Sequence, residues 1–132
     1  LLTSLGDLYI DLDEYESAGQ LYNNATEIAQ RVGFQFLTNY LSLAQAHLAR
    51  LRGQTREAYW HLHEAEVFVQ ATGSNYERSL FYLEHGCLRL IGGNYVSAVT
   101  DLERALDYSR QGSLVAETAR SQVWLAAAHL GS

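Results

Sequence analysis

The sequence repeats itself every 40 residues. Ala18, Ala58 and Ala98 stand 40 apart, as do Ala25, Ala65 and Ala105, with Tyr22, Leu62 and Leu102 between them. Upstream, Gly6, Ala46, Gly86 and Ala126 hold the same register. A period of this length means stacked supersecondary units, each burying its apolar face on its neighbours. Spacings of three and four between small and apolar positions are helical. Glycines punctuate each unit twice: Gly53 and Gly93, with Asp13 in the first copy, then Gly33 and Gly73, with Gly112 one step early.

These signals predict helices near 1–12, 14–32, 34–52, 55–72, 75–91, 95–111 and 114–130. That is three helical hairpins plus a seventh helix, in repeats of about 1–33, 34–73 and 74–112 and a half repeat over 113–132. "DEYE" (Asp13 to Glu16) and "SNYE" (Ser74 to Glu77) both read as capping boxes. The small residues have a steric reason, since helix axes come within about 8–10 Å only where little side chain stands at the crossing.

Composition narrows the class. The 132 residues are 48% hydrophobic and 18% charged, as in a globular chain. No proline is available to stop a helix, so glycines and polar caps must do so. No Met is present and "LLTSLGDLYI" opens in mid-pattern, which reads as a fragment of a larger protein. The apolar runs are too short for a signal peptide or a membrane span. The net charge is −6 and the nine basic residues, all Arg, form no stripe, which argues against nucleic-acid binding by this segment. Arg without Lys is a compositional association with GC-rich bacterial genomes. A single cysteine, Cys87, excludes an internal disulfide and suits a cytoplasmic location.

The pattern Gly6 and Tyr9, then Ala18, Tyr22 and Ala25, resembles the tetratricopeptide repeat (TPR) family over nearly the whole chain. The family unit is usually about 34 residues; the 40-residue unit here is similar to the long repeats of bacterial regulators of the MalT/LuxR type, and also of peptide-sensing regulators and kinesin light chains. The resemblance implies an all-α solenoid in a right-handed superhelix with a concave groove. Family clamps that hold chaperone tails use Lys and Asn on groove helices; Thr3, Asp7, Leu43 and His47 stand at those places, so that activity is not expected.

The segments over 34–52 and 75–91 depart from the family pattern. Ser42, Gln45 and Ala49, then Tyr82, His85 and Arg89, take the positions expected to pack. The apolar residues lie instead along Tyr40, Leu43, Ala44 and Leu51, along Leu80, Leu83, Cys87 and Ile91, and along Val123, Trp124 and Ala127. Two readings stay open. The stripe is core between repeats, or it lines a groove for an apolar peptide or a helix of the parent chain. On the second reading the anchors are Tyr40, His47, Leu83, Cys87 and Trp124, framed by Arg50, Glu84 and Arg120.

No enzyme is expected. His61 and His63, two apart on a helix, face different ways and cannot share an ion, and His47 with Cys87 makes only two ligands, so no metal and no cofactor are assigned. "IGGN" (91–94) lacks the Lys and the strand of a phosphate loop. The expected function is a protein-interaction and signal-sensing scaffold, the TPR region of a larger bacterial transcriptional regulator, with other domains of its own chain among the partners. A free-standing peptide- or protein-binding adaptor and a structural spacer are the alternatives. The apolar terminal segments, with Leu1, Leu2, Leu5 and Leu8 and with Val123, Trp124 and Leu130, are expected to drive self-association.

Overall fold

The structure, a computed structural model, describes residues 14–131 together with Gly6 and Ile10. Among these residues it is all-helical, with α1 (Tyr15–Val32), α2 (Gln35–Leu51), α3 (Thr55–Thr72), α4 (Asn75–Ile91), α5 (Tyr95–Gln111) and α6 (Val115–Gly131). Each helix end falls within one residue of its expected position. Gly6 and Ile10 are helical; the rest of the segment expected over 1–12, including Leu1, Leu2, Thr3, Leu5, Asp7, Leu8 and Tyr9, lies outside the described residues.

Four of the five turns share one construction. After α1, Phe34 N–H donates to the Ala29 carbonyl (2.9 Å) and Gly33 N–H to that of Gln30 (3.2 Å). The same pair of bonds closes α2 at Gly53 and Gln54, α4 at Gly93 and Asn94, and α5 at Ser113 and Leu114. This Schellman closure calls for a left-handed residue just past the helix. Gly33 (φ 73°), Gly53 (73°) and Gly93 (82°) supply it. In the fourth turn the glycine comes one step early: Gly112 stays right-handed and Ser113 takes φ 55°. A β-carbon in that region costs roughly 1–2 kcal/mol. Ser113→Gly should therefore raise stability by about 1 kcal/mol in thermal unfolding, where Ser113→Ala should not.

The turn between α3 and α4 is made differently. Glu77 N–H donates to Ser74 Oγ (3.2 Å), and Ser74 N–H donates back to Glu77 Oε1 (3.0 Å). This is the reciprocal box expected of "SNYE". The box expected of "DEYE" is corrected: the N-cap of α1 is Glu14, which makes no side-chain cap bond, and Asp13 lies outside the described residues.

The chain divides into two compact units, residues 1–65 and 66–132, so the division falls inside α3 and inside the repeat expected over 34–73. In the first unit α1 packs on α2. Its core joins Ala18, Tyr22, Ala25 and Ala29 to Leu41 and Leu48, with Ile10, Tyr15, Leu37 and Ala44 against them. In the second unit α5 packs on both α4 and α6.

The 40-residue register has one steric meaning in both units. A β-carbon added to Gly6 would stand 2.5 Å from Tyr22 Cε1, and one added to Gly86 would stand 2.7 Å from Leu102 Cγ. In each case a small residue lies against a large one sixteen positions later. The middle copy keeps both partners buried, as Ala46 and Leu62. Ala126, in the same register, is exposed.

Candidate functional site

Three of the eight residues singled out as groove anchors are buried. Leu83 (3% exposed), Glu84 (4%) and Cys87 (0%) lie inside the protein and present nothing to a partner. Leu43, from the same stripe, is also buried. The buried positions of α4 run round most of its circumference, from Phe81 through Tyr82, Leu83 and Glu84 to Cys87 and Leu88. At Leu83 and Cys87 the apolar stripe is core, because α4 is buried round most of its circumference, and Leu43 of α2 is buried as well. Tyr40, His47, Arg50 and Trp124 are half-buried and Arg120 is exposed. His47 and Arg50 meet on α2, where Arg50 Nη2 approaches His47 Nδ1 at 3.2 Å. On α6, Val123 and Leu130 are exposed, as is Val115.

Two side-chain clusters in the second unit were not expected. Asp101 of α5 is buried, and its Oδ2 accepts from His85 Nδ1 (2.9 Å) and from Arg89 Nη1 (3.1 Å) of α4. Phe81 stacks on the His85 ring, with centroids 5.8 Å apart. The polar residues that break the family pattern on α4 thus clamp it to α5 through one buried carboxylate. Beside this, Tyr82 and Tyr108 stack at 5.8 Å, with the Arg104 guanidinium over Tyr82 and that of Arg78 over Tyr108. Arg78 also donates to the Val69 and Gln70 carbonyls at the end of α3, and Gln70 Nε2 donates to the Tyr82 hydroxyl (2.9 Å). Both clusters join helices, which is a structural role.

The first unit holds a pocket of about 150 Å³. Gly19 and Asn23 of α1 form one wall. Gln45, Leu48 and Ala49 of α2, with Arg52 just past its end, form the second. Gln54, just before α3, and Glu57 and His61 of its first turns form the third. Gln45 Nε2 donates to Asn23 Oδ1 at 2.8 Å and ties the first two walls together. Gly19, Arg52, Gln54 and Glu57 were not singled out from sequence, because a lone glycine and scattered polar residues on three helices carry no local motif. Among the described residues no three His, Cys, Asp or Glu side chains gather as metal ligands, and no helix is long and apolar enough to cross a membrane.

Burial holds His61 below the ordinary imidazole pKa, against the opposing pull of the Glu64 and Glu57 carboxylates. The unfolded chain therefore takes up a proton before the folded one does. This contribution to stability is complete above about pH 6.5 and is lost as the pH falls through that value toward the folded pKa. The unfolding temperature should drop between about pH 7.5 and pH 5.5, and His61→Gln should flatten that slope. An unchanged slope in the variant would place the titration elsewhere.

No protein-family model, no curated protein and no solved structure matches the chain.

Proposed function

We propose that this chain is a TPR-like helical-repeat module that binds protein, the interaction and signal-sensing region of a larger bacterial transcriptional regulator working in the cytoplasm. One observation carries the reading: the small-on-large helix crossing recurs in the 40-residue register, at Gly6 against Tyr22 and at Gly86 against Leu102. A chain built from one repeated crossing offers long, repeated helix faces, the usual surface of a recognition scaffold. The partner is a protein or peptide with apolar anchors, and other domains of the parent chain are the first candidates. Within the module the contact falls to residues that keep accessible surface, Tyr40, His47 and Arg50 on α2 and Arg120 and Trp124 on α6. The exposed Val115, Val123 and Leu130 favour self-association through α6.

The test is a titration of the 132-residue module with the remainder of the parent chain, expressed separately. The reading expects saturable binding that Arg50→Glu or Trp124→Ala weakens with the unfolding temperature unchanged. Absence of binding, together with normal regulation by a parent chain lacking the module, would overturn it.

A further inference from the structure

We propose that the pocket of the first unit is a binding site for a small zwitterion of amino-acid size, its carboxylate held by Arg52 and its ammonium by Glu57. The first argument is Gly19. It lies inside α1, where glycine costs about 1 kcal/mol relative to alanine. At Gly6 and Gly86 a β-carbon would collide with a neighbouring side chain, so packing demands glycine. At Gly19, among the described residues, it would meet Leu48 Cδ2 at 3.5 Å and Arg52 Nη1 at 3.8 Å, which are ordinary contacts. Packing among the described residues does not require this glycine. A methyl group there would instead take up pocket space, since Gly19 lines the wall.

The second argument is charge. Arg52 and Glu57 both line the pocket, and neither makes an ion pair among the described residues. Opposite charges left apart on one small cavity suit a ligand that carries both. A simple anion would meet the Glu57 carboxylate, and a simple cation would meet the guanidinium. Asn23 and Gln45 add amide groups, and the buried Leu48 and Ala49 give an apolar surface for a short side chain. A cavity near 150 Å³ holds a molecule of roughly benzene size, which is the range of the smallest amino acids. The site is independent of the protein-partner reading, and either can fail alone.

The experiment is a heteronuclear NMR titration of the 132-residue chain with glycine, L-alanine and L-serine, each to about 10 mM, with acetate and ethylamine as single-charge controls. At least one amino acid should give saturable shifts at the Gly19, Arg52 and His61 amides, and the controls should bind at least about tenfold more weakly. Arg52→Gln and Glu57→Gln should each weaken binding about tenfold. Gly19→Ala should abolish binding while leaving the unfolding temperature equal or higher, which separates a filled pocket from a damaged fold. No saturable shift from any of the three amino acids would overturn the proposal. So would acetate binding as tightly as they do, or Gly19→Ala binding unchanged.

Discussion

Leu83→Ser is expected to lower stability by about 4 kcal/mol. Leu83 is 3% exposed at the centre of α4. Truncating a buried leucine removes transfer free energy and leaves a cavity, together about 2–5 kcal/mol. The serine hydroxyl then adds the cost of a buried polar group, which a bond to a carbonyl of its own helix offsets in part. Chemical denaturation measures the loss directly. An exposed groove position would instead lose well under 1 kcal/mol. The same variant therefore decides between core and groove at this position, the choice that apolar periodicity alone left open.

Tyr22→Ala should cost about 3–5 kcal/mol, the range for removing a buried aromatic ring. Tyr22 is fully buried among Ala18, Ala25, Leu41 and Leu48, and its ring lies where a β-carbon of Gly6 would stand. Nothing small can close over that volume, because the glycine that faces it has no side chain to move in. The loss should appear as a lower denaturation midpoint in the variant. A cost below 1 kcal/mol would mean that the ring is not part of this crossing.

What the sequence made legible was local. The Schellman turns at Gly33, Gly53 and Gly93 and the box at Ser74 and Glu77 depend on residues a few positions apart. Helix boundaries followed from them. The small residues were legible for the same reason, as they recur at a fixed interval. The second unit's buried carboxylate was not. Asp101 carries no local signal in "VTDLERA", because its partners, His85 and Arg89, stand in the preceding helix. Nor did the stripe through Leu43, Leu83 and Cys87 declare itself core. Periodicity shows which residues share a face, but not how many faces of a helix are covered. Gly19 was invisible because its meaning lies in an open space between three helices, which no spacing along one helix encodes.

A double-mutant cycle on Gly86 and Leu102 tests the repeated crossing most directly. Gly86→Ala forces a β-carbon to within 2.7 Å of Leu102 Cγ and should cost about 1–3 kcal/mol. Leu102→Ala should cost about 2–5 kcal/mol, since Leu102 is fully buried. If the two residues form the crossing, the alanine at 86 moves into space that the truncated leucine vacates. The double variant is then more stable than the sum of the single losses predicts, by at least about 1 kcal/mol. Strict additivity of the two losses would contradict the crossing, and with it the small-on-large register that carries the proposed repeat reading.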